Sequence, residues 1–299
     1  MEPTDPKDQI PCLACTWTPE RQRYCGYKSN LKLFYEAGDR GAWSLGSKFI
    51  LKDRNVDPPT YEAVTTTFVK ENTTIPLPGI AKEWTDDNRH FILAERVPGE
   101  TLGKVWSKMP EEKREELAKE TAEYLSQLRQ FHSPKMQSVN RQPLHNAFLF
   151  GRDTDSLHGP FSTQEELWDT MVMNFKDVPD EVAALWKKRM PSPLPWTLAH
   201  ADLTNCNIMV DPETFKLTGI IDWERSGYYP VWWEYAGATI AFGSDDAEWK
   251  GLLLKYMPDY SVALCWFRDV FNIGHGMYRD EESVQEKRKS LWREAGLES

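Results

Sequence analysis

Between Leu31 and Glu95 the apolar residues come in short, β-favouring runs broken by glycine and proline. Lys32-Leu33-Phe34-Tyr35 and Ala42-Trp43-Ser44-Leu45 predict two strands around a turn containing Gly38, Asp39 and Gly41. A second turn, Gly46-Ser47, leads into a third strand, Lys48-Phe49-Ile50-Leu51-Lys52. Tyr61 to Glu71 reads as a short helix, weakened by three consecutive threonines. It must end at Ile75-Pro76-Leu77-Pro78-Gly79, because proline cannot donate to a helix and restricts its predecessor. Glu83-Trp84 and His90 to Glu95 predict a further strand pair, and Val97-Pro98-Gly99-Glu100 punctuates the chain as a hinge.

Beyond the hinge the period becomes helical. Glu111 to Phe131 places Leu117, Thr121, Leu125, Leu128 and Phe131 on one face. Ser162-Thr163-Gln164-Glu165 predicts a capping box for a helix carrying Leu167, Met171 and Phe175. Pro179 to Arg189 opens on Pro-Asp-Glu and closes on basic residues, as the helix dipole favours. Glu281 to Glu294 predicts a charged, solvated helix. Ile208-Met209-Val210 and Leu217 to Ile221 predict a hairpin turned at Asp211-Pro212-Glu213. The expected class is α+β, with a small antiparallel β-rich N-terminal lobe over 1–97, whose first 28 residues are a poorly defined extension, and a larger helical lobe over 98–299.

Charge narrows the partners. With 36 Lys+Arg against 46 Asp+Glu the formal net charge is -10, which argues against sequence-independent nucleic-acid binding and suits a neutral or cationic small molecule. Met1 to Pro6 is polar, without the basic and apolar regions of a signal peptide, and no apolar run approaches the roughly 20 residues of a membrane span. The expected location is therefore the cytoplasm, where an odd set of cysteines, Cys12, Cys15, Cys25, Cys206 and Cys265, stays reduced. Cys12, Cys15 and Cys25 lack a fourth ligand at finger-like spacing, so unpaired thiols are expected rather than zinc.

The chemistry gathers at the predicted hairpin. His200-x-Asp202 precedes it, Asn207 follows Asp202 by five positions, and Asp222 stands at its far end. Phosphoryl transfer needs an aspartate to orient or deprotonate the attacking hydroxyl, and an amide oxygen and second carboxylate to hold Mg²⁺. The order Asp202, Asn207, Asp222 matches the protein-kinase catalytic loop and metal-binding aspartate, although Trp223-Glu224 replaces the Phe-Gly of that motif. Asp202 and Asn207 are the candidate catalytic residues, and Asn207 and Asp222 the candidate metal ligands.

These residues resemble the aminoglycoside phosphotransferase/choline kinase-like superfamily, and most its fungal branch. The resemblance rests on Leu198-Ala199-His200-Ala201-Asp202-Leu203 to Asn207-Ile208, on Gly219-Ile220-Ile221-Asp222-Trp223-Glu224, on Trp233-Glu234-Tyr235-Ala236 and on Ala94 to Leu102. It covers about Leu31 to Trp266 and implies a two-lobed protein-kinase-like fold that uses ATP and Mg²⁺. It also implies that Lys52 contacts the α- and β-phosphates, that Glu62 holds this lysine, and that the backbone from Glu95 to Val97 receives adenine. Gly38-Asp39-Arg40-Gly41 is a reduced form of the glycine-rich loop, with Gly38 and Gly41 left to face the nucleotide. Two departures stand out: Ala201 replaces the family's glycine, and Cys206 stands where another glycine is usual, which changes the loop's backbone freedom.

Plainer accounts compete. His200 alone reads as a structural brace, and Lys52 with Glu62 as an ion pair. Trp223, Tyr228, Tyr229, Trp232 and Trp233 form either an aromatic wall for a cationic ligand or core, with core the simpler account of Trp233 and Tyr235. Glu224, Glu234, Asp245 and Asp246 are candidates for an acidic acceptor pocket, with Asp245 and Asp246 more simply solvated. Glu224 and Trp232 are thus the candidate acceptor contacts. The favoured function is an ATP-dependent kinase acting on a hydroxyl or amine of a metabolite. Its rivals are a kinase-fold binding protein without turnover and, lacking any Ala-Pro-Glu after Asp222, a protein kinase.

Overall fold

The N-terminal runs pair in the order their turns dictate. The computed structural model describes residues 31–151, 156–276 and 281–297; the extension over 1–28, with Cys12, Cys15 and Cys25, lies outside them. Strands β1 (Leu31–Ala37), β2 (Arg40–Leu45), β3 (Phe49–Asn55), β4 (Ile80–Asp86) and β5 (Arg89–Glu95) form an antiparallel sheet of order β1-β2-β3-β5-β4. Ala37 pairs with Arg40, leaving Gly38 and Asp39 as a two-residue turn in which Gly38 takes φ +60, a conformation that a Cβ resists. Central β3 sets Lys52 opposite Ala42 and Ile92. Helix α1 (Glu62–Asn72) begins and ends one residue later than the sequence suggests, and its first residue, Glu62, is buried.

The predicted hinge is tied down rather than free. β6 (Glu100–Thr101) pairs with β9 (Ile208–Val210), whose other edge carries β10 (Leu217–Ile220). Gly99 has φ +102, and a Cβ there would meet the Val210 carbonyl at 2.2 Å, so only glycine lets the two segments approach. Helices α2 (Leu102–Val105) and α3 (Glu111–Leu128) follow, and α3 buries Leu117, Thr121, Leu125 and Leu128, the predicted face. A second three-stranded sheet sets β8 (Trp196–Ala199) between β7 (His132–Ser133) and β11 (Gly227–Tyr229). The remaining helices are α4 (Ala147–Phe150), α5 (Gln164–Val172), α6 (Asp180–Arg189), α7 (Trp233–Gly237), α8 (Ser244–Leu254), α9 (Ser261–Asp269) and α10 (Glu282–Glu294). The molecule is α+β, with strands in the N-terminal region and helices dominating the rest.

Two expectations change. The α5 capping box is one residue later than predicted: Thr163 Oγ1 accepts from Glu166 N at 3.1 Å, and Glu166 Oε2 from Thr163 N at 3.2 Å. Both Ser162 and Thr163 have a glutamate three residues on, and the Thr163 start is the one that buries Leu167, Trp168 and Met171. Four of the five members of the expected aromatic wall are core, and Tyr228 is half-buried. Trp223, Tyr229, Trp232 and Trp233 are all at most 1% exposed, and Trp232 packs edge-on to Trp266 with ring centroids 5.7 Å apart. Trp232 therefore does not face an acceptor; truncating such a ring costs about 3–5 kcal/mol of packing. Elsewhere in this core His275 is buried beside Phe175 and Phe271. No helix among the described residues is long and apolar enough to cross a membrane.

Candidate active site

A fully buried strand, β8, delivers His200, Ala201 and Asp202 into the cleft. His200 is 0% exposed and its ring bridges two segments: Nε2–H donates to the Ile221 carbonyl at 3.0 Å, and Nδ1 accepts from Asp202 N at 3.3 Å. Burial lowers its pKa against the opposing pull of Glu234, which suits this neutral tautomer. His200 thus fastens the loop of Asp202 to the strand end that presents Asp222. Ala201 adopts φ +65, whereas Cys206 is absent from the left-handed region. The backbone demand therefore falls on the Gly-to-Ala position rather than on Cys206. Asp222 is also left-handed, at φ +67.

Two carboxylates brace the loop from outside. Glu234 Oε2 accepts from the amides of His200 at 2.7 Å and Ala201 at 3.1 Å. Asp246 accepts from Asn205 N at 2.8 Å and Phe242 N at 3.0 Å, and pairs with Lys250 at 3.0 Å. Asp246 is 0% exposed, so the expectation of a solvated Asp246 is overturned: it is an internal strut, satisfied by two amides and an ammonium. Its pairing with Lys250 at i,i+4 was the local signal available for it. Of these two candidates for the acidic acceptor pocket, Asp246 is engaged by the protein at both oxygens, whereas Glu234 is engaged at Oε2 and also lines the cavity beside Asp202.

Within the loop, Asn207 Nδ2 donates to the Asp202 carbonyl at 2.8 Å and the Asn207 carbonyl accepts from Ile221 N at 3.0 Å. Among the described residues no donor meets Asn207 Oδ1. Burial pushes the Asp202 carboxyl above its ordinary pKa; Arg225, 3.8 Å away, opposes this and Asp222 reinforces it.

Across the cleft, Lys52 Nζ lies 2.5 Å from Glu62 Oε1 and 2.8 Å from Asp222 Oδ1. Burial disfavours the ammonium, but Asp222 and Glu62 override it and hold the Lys52 pKa above its usual value. The same burial works against the Asp222 carboxylate, yet Lys52, by charge and hydrogen bond, keeps its pKa low. Burial dominates at Glu62, whose pKa is raised despite Lys52.

Glu224 has a different setting from the one its sequence position suggests. It is clasped by Arg54, at 3.0 Å, and by Arg40 of the Gly38–Gly41 segment, so it links the two lobes and is not free for an acceptor. Neither arginine carried a sequence signal, since the pairing spans 170 and 184 residues. Gly41 has no room for a side chain, because a Cβ would meet Asp53 Oδ1 at 2.4 Å. At the hinge, the amides of Glu95 and Arg96 are taken by the carbonyls of Gly79 and Lys48, each at 2.8 Å. The Glu95 carboxylate binds Gly79 N and Lys70, and Val97 packs its side chain against Gly219.

Asn207 Oδ1 and the Asp222 carboxylate are oxygen donors of the kind a hard divalent cation takes, and Asp222 Oδ1 is paired with Lys52 in this structure. Among the described residues no group of three or more His, Cys, Asp or Glu forms an all-protein metal cage. A hard cation held by few protein oxygens and by its substrate's phosphates, as Mg²⁺ is, matches this pattern.

Residues 70–263 match the model of the phosphotransferase enzyme family. The aminoglycoside 3'-phosphotransferase of Streptomyces fradiae is 25% identical over 179 residues, covering 59% of this chain and 62% of that protein, less than two thirds of its length. Among solved structures, APH(2'')-IIa in ternary complex with streptomycin and ATP gives a TM-score of 0.57 at 16% identity, over 93% of this chain and 97% of that one. ADP-bound aminoglycoside phosphotransferase APH(2'')-Ib gives 0.52 at 14% identity, over 92% and 94%. At such identities the structural likeness speaks for the fold, and it bears out the two-lobed kinase-like arrangement expected from the sequence.

Proposed function

This chain belongs to the phosphotransferase enzyme family, and on that premise we propose that it is an ATP-dependent small-molecule kinase whose acceptor presents a hydroxyl to Asp202. The observation that carries the reading is the junction of Lys52, Glu62 and Asp222 with a loop in which Asn207 is hydrogen-bonded to the backbone of Asp202. The proposed lobe boundary, 1–97 and 98–299, runs between the Val97 amide, the donor left for adenine, and β6.

In this mechanism Asp202 accepts the acceptor's proton as the acceptor oxygen forms its bond to the γ-phosphorus. The bond from that phosphorus to the bridging oxygen breaks and ADP departs. The raised pKa of Asp202 suits a base that must take and later release a proton. Lys52 exchanges its contact with Asp222 for the α- and β-phosphates while Glu62 keeps it in place, a preorganised cation where negative charge persists. Gly38 and Gly41 let the β1–β2 turn lie close to the phosphates. Asn207 and Asp222 would hold Mg²⁺, which when bound neutralises charge on the phosphate oxygens.

Adding Mg·ATP should raise the melting temperature, because it binds the folded state alone, and Asp222→Ala should remove most of that response. No thermal response at millimolar Mg·ATP would contradict the proposal.

A further inference from the structure

The small-lobe sheet carries its cations in a row. Ala42 stands opposite Lys52 and Gly41 opposite Asp53, so one step further along the ladder Arg40 stands beside Arg54. Side chains alternate across a strand, which puts Lys52, Arg54 and Arg40 on one face. That face meets the large lobe: Lys52 reaches Asp222, and Arg40 and Arg54 reach Glu224, two residues on. The row also has a direction. Phe49, at the start of β3, pairs with Glu95 of the hinge, Lys52 lies midway, and Arg54 lies about 7 Å beyond it beside the β1–β2 turn. With adenine at the hinge and Lys52 on the α- and β-phosphates, as the kinase reading has it, the two arginines stand where the third phosphate falls.

The two arginines are held differently. Arg54 is the buried partner, its side chain 11% exposed, donating to Glu224 Oε2 at 3.0 Å and to the Pro58 carbonyl at 3.1 Å. Arg40 is 34% exposed and meets the other Glu224 oxygen. Glu224 thus has two guanidiniums for one charge, and losing Arg40 leaves it paired with Arg54. Of the other carboxylates nearby, Asp222 and Glu62 are paired with Lys52, and exposed Asp39 accepts from Asn55 N at 3.1 Å. A phosphate offers Arg40 more charge than a shared carboxylate does, and its oxygens suit both arms of the guanidinium fork. Asp39 fastens the turn to the end of β3, so the exchange is a side-chain swing rather than a movement of the turn.

We propose that Arg40 binds the terminal phosphate of the nucleotide, leaving Glu224 to Arg54 when a triphosphate enters and returning to it when the diphosphate remains. Glu224 is then the resting partner of Arg40, and the clasp between the lobes distinguishes a triphosphate from a diphosphate. The inference rests on the kinase reading above for the positions of adenine and of the phosphates at Lys52.

The test is calorimetry on the full chain with Mg²⁺, using a non-hydrolysable ATP analogue, ADP and AMP against wild type, Arg40→Gln and Arg40→Lys. Arg40→Gln should weaken the triphosphate analogue about tenfold or more, the worth of a charged hydrogen bond, while ADP and AMP stay within about twofold. Arg40→Lys, which keeps the charge and a partner for Glu224 but lacks the fork, should fall between wild type and Arg40→Gln. Equal losses for the analogue and ADP, or no loss at all, would overturn the assignment. Tighter binding of the analogue without Arg40 would also overturn it, and would make the clasp a barrier to nucleotide. Failure of the kinase reading looks different: wild type itself binds none of these nucleotides, and the role of Arg40 falls with it.

Discussion

Lys52 Nζ stands 2.8 Å from the Asp222 carboxylate although 170 residues separate them. One lysine thereby joins the central strand of the small lobe to the end of the β9–β10 hairpin, and Glu62 meets it from α1 at 2.5 Å. Removing the cation leaves the carboxylates of half-exposed Asp222 and buried Glu62 without their shared partner. Lys52→Ala should therefore lower unfolding free energy by about 1–3 kcal/mol, the range for a hydrogen bond to a charged group. It should also abolish the thermal response to Mg·ATP. Retained nucleotide binding in that variant would make Lys52 a structural residue and would undo its assignment to the phosphates.

Asp246 gives a sharper test of the loop's bracing. Asp246→Ala strands the Lys250 ammonium, whose side chain is 7% exposed, and frees the amides of Asn205 and Phe242. Breaking a buried pair by removing one partner costs about 3–5 kcal/mol. Urea unfolding should show a loss of that order, and the double variant Asp246→Ala with Lys250→Met should recover part of it because no uncompensated charge remains. A loss below about 1 kcal/mol would place Asp246 in solvent, as its sequence context suggested.

His275 predicts the acid side of the stability curve. Burial, with Lys176 adding to it, lowers its pKa to about 4. Between its unfolded value near 6.5 and about 4 the unfolded chain binds the extra proton, so stability falls as pH drops through this window and is intact above it. The loss approaches about 3 kcal/mol at the low end. His275→Phe should flatten the slope of unfolding free energy between pH 6.5 and 4. An unchanged slope would mean that His275 titrates as it does in water.

The sequence made the local parts of the site visible and hid the distant ones. Asp202, Asn207 and Asp222 stand out because one hairpin sets their spacing, and Lys52 and Glu62 because a strand and the next helix are neighbours in the chain. Glu234 and Asp246 reach the loop from later helices, and the clasp of Glu224 by Arg40 and Arg54 depends on how the lobes meet. No short-range pattern encodes either arrangement. Trp232 illustrates a different limit, since an indole suits a ligand wall and a core equally until its neighbours Trp266 and Phe267 are known. Ala201 and Cys206 both depart from glycine, but only the fold reveals that Ala201 is the one held at positive φ.

In the proposed reaction Asp202 accepts a proton during phosphoryl transfer while Asn207 and Asp222 serve the nucleotide's metal. Asp202→Asn preserves side-chain volume and hydrogen bonding but holds no proton at neutral pH. The direct measurement is Mg·ATP affinity and phosphoryl transfer, wild type beside Asp202→Asn, over alcohols, amino alcohols and sugars. The predicted result is near-unchanged Mg·ATP affinity with kcat lowered about 10²–10⁴-fold, the contribution of a positioned general base. Equal turnover in both proteins would remove Asp202 from the chemistry, and nucleotide binding with no turnover in either would make the chain a kinase-fold binding protein instead.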